Sequence, residues 1–216
     1  MATQQKKVAF HTMGCKLNFS ETSTIKRDFI SRGFKTVSFN EYANIYVLNS
    51  CSVTENADRE ARKIIRRAKR LNPNSSIIVT GCYAQLKPEE LAAIKEVDMI
   101  FGAKEKFNLL DHLDLIELNH KTRLFHSEIN SVSHFEPSFS SNDRTRSYLK
   151  VQDGCDYNCT FCTIPLARGV SRSSTVSKTL TSAKHAISSG AREIVLTGVN
   201  IGDFGVNSQE KFIDLL

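Results

Sequence analysis

The sequence has 216 residues, of which 40% are hydrophobic and 24% charged, with ten Gly and four Pro. This composition excludes collagen-like, low-complexity and wholly disordered chains, and the length suits one large domain or two modest ones. No apolar run approaches the roughly 20 residues that span a bilayer, and the first residues lack the apolar stretch of a signal peptide. We therefore expect a soluble, cytoplasmic protein with no membrane partner.

Strands alternate with helices along the first 118 residues. Apolar or alternating runs predict five strands, at residues 7–13, 34–39, 45–48, 76–80 and 98–101. Amphipathic spacing predicts four helices, at residues 20–32 with Ser20 as the N-cap, 55–71, 88–96 and 107–118. This alternation indicates an α/β domain, a parallel sheet covered on both faces, which we assign to residues 1–119.

The pattern changes near residue 120. Scattered serines and Pro137 predict an irregular connector over residues 120–143. Further β/α units are then predicted, with strands at 147–151 and 193–196, a long loop at 152–175, and helices at 177–189 and from about 208. Residues 144–216 are therefore expected to open a second α/β domain.

Basic residues concentrate in one predicted helix. Residues 59–70 contain seven Lys or Arg against a single Glu, a surplus that equals the net charge of +6 of the whole chain. Such a block can attract a polyanion such as RNA through counterion release. A solvated helix face is the alternative, and the charge pattern alone leaves both open.

Three of the six cysteines lie within eight residues. Cys155, Cys159 and Cys162 form a C-x3-C-x2-C array, and the loop supplies no fourth Cys or His. Three thiolates hold three irons of a cubane and leave the fourth iron open to a small molecule, whereas structural zinc normally has four protein ligands. The array therefore favours an iron–sulfur cluster over zinc.

The other three cysteines are dispersed but equivalently placed. Cys15, Cys51 and Cys82 each lie within three residues of the carboxyl end of a predicted parallel strand. Loops at these ends share one rim of a sheet, so the three thiols are predicted to converge there as a second metal site. The alternative is that each is an ordinary buried cysteine. Disulfides are not expected, because the chain lacks an export signal.

These motifs resemble those of the radical S-adenosylmethionine (radical SAM) methylthiotransferases. The resemblance rests on Met-Gly-Cys-Lys-Leu-Asn at 13–18, Asn-Ser-Cys-Ser-Val-Thr at 49–54, Thr-Gly-Cys-Tyr-Ala-Gln at 80–85, and the array with its flanks at 150–169. The segment Leu-Thr-Gly-Val-Asn-Ile-Gly-Asp-Phe-Gly at 196–205 is similar to the bacterial-type branch that modifies N6-threonylcarbamoyladenosine in tRNA.

The resemblance implies a fold and a set of cofactors. It implies an N-terminal parallel-sheet α/β domain followed by the opening strands and helices of a radical SAM β/α barrel, truncated here, with the C-terminal TRAM domain of the family absent. It implies two [4Fe-4S] clusters and S-adenosyl-L-methionine. One cluster is held by Cys15, Cys51 and Cys82, and the other by the three cysteines of the array.

The resemblance also implies an activity and its partners. The expected reaction inserts a methylthio group at C2 of N6-threonylcarbamoyladenosine beside the anticodon, with a tRNA substrate and an electron donor such as flavodoxin or ferredoxin. Residues 1–216 alone are expected to be inactive. The alternatives are a methylthiotransferase acting on a ribosomal-protein aspartate or another modified adenosine and, for this fragment, a non-catalytic iron–sulfur RNA-binding module.

Further positions are assigned to the cofactor. Phe161 is expected to pack against the cluster, and the segment after the second barrel strand to contact S-adenosylmethionine or simply to form a turn: Thr197, Gly198, Val199 and Asn200. Arg168, Gly169 and Arg172 are expected to touch a cofactor carboxylate or tRNA phosphate, with solvent exposure as the alternative. No side chain is assigned as catalytic.

Overall fold

The structure, a computed structural model, describes residues 5–118, 121–141 and 145–216. The chain divides into two compact units: unit 1 comprises Met1–Gly14 and Ile25–Ser127, and unit 2 comprises Cys15–Thr24 and Glu128–Leu216. The predicted boundaries at 119–120 and 143–144 lie outside the described residues. Within those residues, no helix combines the length and apolar character needed to cross a bilayer.

Unit 1 is built on a parallel sheet. In the part of the chain that the structure describes, this sheet has six strands in the order β2-β1-β3-β4-β5-β6. The strands are β1 (Lys7–Thr12), β2 (Lys35–Val37), β3 (Ile45–Ser50), β4 (Ser76–Gly81), β5 (Met99–Phe101) and β6 (Arg123–Phe125). The prediction of a parallel α/β sheet is therefore confirmed.

Helices connect these strands. They are α1 (Lys16–Ser31), α2 (Glu55–Leu71), α3 (Cys82–Leu86) and α4 (Pro88–Ala92), followed by a 3₁₀-helix at Leu109–Leu118. Thr54 caps α2, since its hydroxyl accepts a hydrogen bond from the amide of Ala57 at 3.2 Å. The long helix predicted at 55–71 is thus confirmed with its ends.

Side chains of the central strands alternate between two cores because successive residues of a strand face opposite sides of a sheet. Tyr46 and Leu48 of β3 pack in one core with Ile65 of α2. Ile45 and Val47 pack in the other, with Phe29 of α1. The strand is buried along its whole length, as its continuous apolar sequence predicts.

Three predicted helix positions in the first 118 residues are wrong. Helix α1 begins at Lys16, not near Ser20, and Ser20 is fully buried inside it, with its hydroxyl donating to the Leu17 carbonyl at 2.9 Å. In the sequence, a serine whose hydroxyl bonds to a carbonyl of its own helix cannot be distinguished from an N-cap serine. The predicted helix at 88–96 ends at Ala92, and in place of the helix predicted at 107–118 there is a 3₁₀-helix over Leu109–Leu118.

Unit 2 contains a small mixed sheet. Its described strands are β7 (Ser138–Phe139), β8 (Arg146–Lys150) and β11 (Glu193–Thr197), in the order β11-β8-β7, while β9 (Gln152–Asp153) and β10 (Arg172–Ser173) pair separately. The helices are α5 (Ile164–Arg168), α6 (Val176–Ser188) and α7 (Phe212–Leu215). Strands β8 and β11 are parallel, with α6 between them in sequence, which confirms one predicted β/α/β unit.

Two segments that were predicted to be irregular contain regular structure. The connector predicted at 120–143 includes β6, which extends the first sheet, and β7. The loop predicted at 152–175 includes α5 and the β9–β10 pair. Strands of two or three residues are too short to show a periodic pattern of apolar residues. Strand β6 also has no fully buried residue, so its sequence lacks the apolar run that predicts a buried strand.

Candidate metal centres

Two of the dispersed cysteines begin neighbouring connections of the unit 1 sheet. Cys51 directly follows β3 and Cys82 directly follows β4, and the last residues of these strands, Ser50 and Gly81, are register partners. A Cβ at Gly81, where φ is +93°, would lie 2.3 Å from the Ser50 carbonyl oxygen. Only glycine permits this approach, which places the start of both cysteine segments at one rim of the sheet, as predicted.

A buried carboxylate secures the segment after Cys51. Asp58, whose side chain is 5% exposed, accepts a hydrogen bond from the Ser52 hydroxyl at 2.7 Å and one from Lys87 Nζ at 2.8 Å. The hydrogen bond that Lys87 donates to Asp58 raises the pKa of Lys87 above its ordinary value. Since Lys87 follows the helix that begins at Cys82, Asp58 ties the two cysteine segments of unit 1 together.

Tyr83, next to Cys82, is fully buried. Its hydroxyl donates to Glu90 Oε2 at 2.9 Å and accepts from Arg62 Nη1 at 2.7 Å. Burial raises the pKa of Tyr83, so this phenol stays protonated and its hydrogen bonds persist. The short helix that starts at Cys82 is thereby anchored to α2.

Cys15 lies in unit 2, immediately before α1. It is exposed, and its thiol donates to Asn18 Oδ1 at 3.9 Å in the first turn of the helix. The predicted convergence of Cys15 with Cys51 and Cys82 stays a prediction.

The three-cysteine array lies on the loop between β9 and α5 in unit 2. The Cys155 amide donates to the Gly169 carbonyl at 3.0 Å, and the Cys162 amide donates to the Cys159 carbonyl at 3.1 Å. Cys159 is exposed, and Cys155 and Cys162 are half-buried. The first hydrogen bond closes the base of the loop, so the three thiols are displayed on one short, accessible segment.

The chemistry of these thiols fits an iron–sulfur cluster. All six cysteines are thiols rather than disulfides, and soft thiolates are the ligands that such clusters require. Within residues 5–118, 121–141 and 145–216, however, no three Cys, His, Asp or Glu side chains are gathered closely enough to hold a metal ion.

Two aromatic rings lie on the array loop. Phe161 is 89% exposed, and its packing against a cluster stays a prediction. Tyr157 donates from its hydroxyl to Asp203 Oδ1 at 3.4 Å, and the negative charge of Asp203 raises the pKa of Tyr157. The loop thus presents two large rings to solvent beside its thiols.

The segment predicted to contact the cofactor is tied to the array by Gln152. This fully buried side chain accepts hydrogen bonds from the amides of Val199 at 2.8 Å and Asn200 at 2.9 Å, and donates to the Gly154 carbonyl at 2.7 Å. Gly198 is needed for this approach, because a Cβ there would lie 2.9 Å from Gln152 Oε1. The predicted contact of Thr197–Asn200 with S-adenosylmethionine stays a prediction.

Gln152 itself was not predicted as part of the site. It occupies the first position of a two-residue strand and has no spacing relation to the cysteines. A glutamine side chain suits this position because its amide both donates and accepts hydrogen bonds. It can therefore bridge the backbone of the array loop and the backbone of the Thr197–Asn200 segment. The available signal is its place in the segment at 150–169 that carries the resemblance, three residues before Cys155.

Five charged side chains are buried together beneath the array. Asp153 accepts from Arg168 Nη1 at 2.8 Å, and from Lys150 and Arg172 at 3.4 Å each, while Glu21 accepts from Lys150 and Arg168 at 3.2 Å. None of these side chains is more than 10% exposed. The alternative of solvent exposure for Arg168 and Arg172 is therefore wrong, because buried carboxylates hold both.

Residues 7–102 match the family model described as uncharacterized protein family UPF0004. Over 207 residues the chain is 40% identical to the threonylcarbamoyladenosine tRNA methylthiotransferase of Bacillus subtilis, covering 94% of this chain and 46% of the relative. The enzyme of the same name from Aquifex aeolicus is 41% identical over 202 residues, covering 92% and 49%. That of Thermotoga maritima is 36% identical over 212 residues, covering 98% and 48%.

The chain thus spans about half the length of the curated relatives it matches. The matched region includes both cysteine-bearing parts, since it extends over more than nine-tenths of the chain in each case. The resemblance drawn from the cysteine motifs is confirmed. Over more than nine-tenths of its length the chain is thus similar to tRNA methylthiotransferases, and its residues 7–102 match the UPF0004 family.

Proposed function

We propose that this chain provides the two cysteine-bearing parts of a tRNA methylthiotransferase. The reaction would insert a methylthio group at C2 of N6-threonylcarbamoyladenosine by a radical SAM mechanism, in the cytoplasm, with an electron donor such as flavodoxin or ferredoxin. The observation that carries the proposal is the pair of separate cysteine sets, one starting at the rim of the unit 1 sheet and one on the array loop of unit 2. The names of the relatives support the substrate.

The chain's own residues would hold and shield the cofactors. Cys155, Cys159 and Cys162 would bind one [4Fe-4S] cluster, and Cys15, Cys51 and Cys82 the other. When bound, a cluster and S-adenosyl-L-methionine supply the one-electron chemistry that removes hydrogen from an unactivated carbon. Gln152 would hold the Thr197–Asn200 segment beside the array, and Phe161 would exclude water from it.

The direct test is nucleoside analysis of tRNA. Cells that lack threonylcarbamoyladenosine methylthiotransferase would express the protein that contains this chain. Their tRNA would then be digested to nucleosides, which would be identified by mass spectrometry. The expected result is the 2-methylthio derivative of N6-threonylcarbamoyladenosine, lost when Cys155 is replaced by Ala. Its absence with the unaltered cysteines would contradict the proposed substrate. The 216-residue chain alone is expected to release little 5′-deoxyadenosine.

Iron content tests the two predicted cluster sites separately. After anaerobic reconstitution, Cys51→Ala and Cys155→Ala are each expected to lower the iron and sulfide content of the chain by about one cluster, or roughly four irons. The double variant is expected to lose both clusters, because the two sets share no ligand. Unchanged iron in Cys51→Ala would contradict the convergence of the dispersed cysteines.

Helix α2 presents a basic stripe suited to RNA. Arg59, Lys63, Arg66 and Arg70 are exposed, and their spacing places them within about 60° of one another around the helix. The stripe runs along about 16 Å of a helix that begins four residues after Cys51. Because phosphates attract such arrays through counterion release, we propose that this stripe binds the tRNA backbone.

Replacing Lys63, Arg66 and Arg70 together by Gln is expected to weaken tRNA binding and to reduce the slope of log affinity against log salt by about 2–3. The measurement is filter binding at several salt concentrations. A matched control replaces three exposed basic residues of unit 2, Lys178, Lys184 and Arg192. An equal effect of both variants would show that net charge, not the stripe, governs binding.

A further inference from the structure

We infer that Arg168 is a positioning residue that fastens the start of helix α1, with Cys15, to the loop that carries Cys155. Its guanidinium lies between Asn18 and Asp153, and all of these residues belong to unit 2. The purpose of this link rests on the proposed function, which gives Cys15 and Cys155 to different clusters. The link itself is a property of the metal-free chain.

One end of the link reaches Cys15. The Cys15 thiol donates to Asn18 Oδ1 at 3.9 Å, and Arg168 Nη2 donates to the same oxygen at 2.5 Å. Asn18 is 1% exposed and lies in the first turn of α1. A charge-assisted bond to a buried amide oxygen is stronger than a neutral one, so it holds the helix start in place.

The other end of the link reaches Cys155 twice. Arg168 Nη1 donates to Asp153 Oδ1 at 2.8 Å, and this oxygen also accepts from the Gly154 amide at 2.9 Å, directly before Cys155. Arg168 is the last residue of α5 and is followed by Gly169, whose carbonyl accepts from the Cys155 amide at 3.0 Å. The consecutive amides of Gly154 and Cys155 are therefore held by Asp153 and Gly169, both of which adjoin Arg168.

Glu21 strengthens the same junction. It lies one helical turn after Asn18, is fully buried, and accepts from Arg168 Nη1 at 3.2 Å. Only the planar fork of an arginine can donate to Asn18 through one nitrogen and to two carboxylates through the other. A lysine would keep the positive charge but could not make all three of these hydrogen bonds. The Arg168→Lys substitution therefore tests the geometry of the side chain apart from its charge.

The consequence is that the start of helix α1, with Cys15, and the array loop, with Cys155, are held together. These two thiols belong to different predicted clusters. The two predicted clusters would serve one substrate, so the segments that hold them would need a fixed spacing. Misplacement by about an ångström slows such reactions severely. Arg168 would set this geometry through its hydrogen bonds to Asn18 and Asp153.

The test is backbone hydrogen exchange of the metal-free 216-residue chain, read by mass spectrometry. Asn18→Ala is expected to speed exchange in residues 152–158 by at least about ten-fold, although the substitution lies on another segment, because it removes one end of the link. Arg168→Lys is expected to speed exchange both there and in residues 15–20. Asn18→Asp, which keeps an oxygen acceptor for Arg168, is expected to restore the slow rates.

The matched control is Ser20→Ala. Ser20 is equally buried on the same helix, but its hydroxyl bonds to Leu17 and Ser138 rather than to Arg168. The inference is overturned if Asn18→Ala leaves residues 152–158 unchanged, if Ser20→Ala speeds them equally, or if Asn18→Asp fails to restore them. Iron content of the Cys51 and Cys155 variants decides the proposed function independently of these rates.

Discussion

Replacing Asp153 by Asn is expected to lower the free energy of unfolding of unit 2 by about 3–5 kcal/mol. The carboxylate is 3% exposed and accepts from three buried cations, Lys150, Arg168 and Arg172. The amide has nearly the same shape but no charge, so three cations stay buried with one partner fewer. Breaking a buried ion pair on one side is far more costly than exchanging both sides.

The measurement is the urea dependence of hydrogen exchange at residues 146–150, which lie in β8 of the same unit. A suitable control is Glu193→Gln, because the bond that Glu193 Oε2 accepts from Arg146 at 2.9 Å joins two exposed side chains, 51% and 63% exposed. Loss of this surface pair is expected to cost less than about 1 kcal/mol. Equal effects of the two substitutions would contradict a stabilising role for the buried charges.

Replacing Gly154 by Ala is expected to be about as damaging and to empty the array of iron. Gly154 has φ of +73°, and a Cβ there would lie 2.0 Å from the carbonyl oxygen of Val170. The obstacle is backbone, so the loop before Cys155 must shift. The left-handed conformation costs a non-glycine residue about 1–2 kcal/mol, and the overlap adds about 1–3 kcal/mol.

Gly190→Ala separates these two costs. Gly190 has φ of +94°, but a Cβ there would meet no atom within 4 Å. This variant is expected to lose only the conformational part and to retain full iron content after reconstitution. Urea unfolding and iron analysis of both variants give the comparison. Retention of iron by Gly154→Ala would show that the array tolerates displacement of its base.

Much of the α/β architecture could be predicted from the sequence. The strands at 45–48 and 76–80 have apolar centres because both faces of a parallel sheet are covered, and this composition is visible locally. The carboxyl ends of neighbouring parallel strands lie at the same rim of a sheet, so cysteines directly after such strands start at that rim. This reasoning placed Cys51 and Cys82 correctly from their sequence positions alone.

The charged interior of unit 2 could not be predicted in the same way. Lys, Glu and Arg are almost never fully buried unless paired, so each reads as a surface residue until its partner is known. The partners of Glu21 lie 129 and 147 positions away, at Lys150 and Arg168. No local pattern joins them. The role of Gln152 is hidden for the same reason, since its acceptor bonds span 47 and 48 positions.

Unit 2 is discontinuous in sequence, since it takes ten residues from the start of the chain, Cys15–Thr24. Dissection of the gene at the end of the UPF0004 match would leave Glu21 and Asn18 without the basic residues that neutralise and hold them. Recombination between relatives is therefore expected to succeed only when the product keeps basic partners for Asn18 and Glu21 at positions 150 and 168.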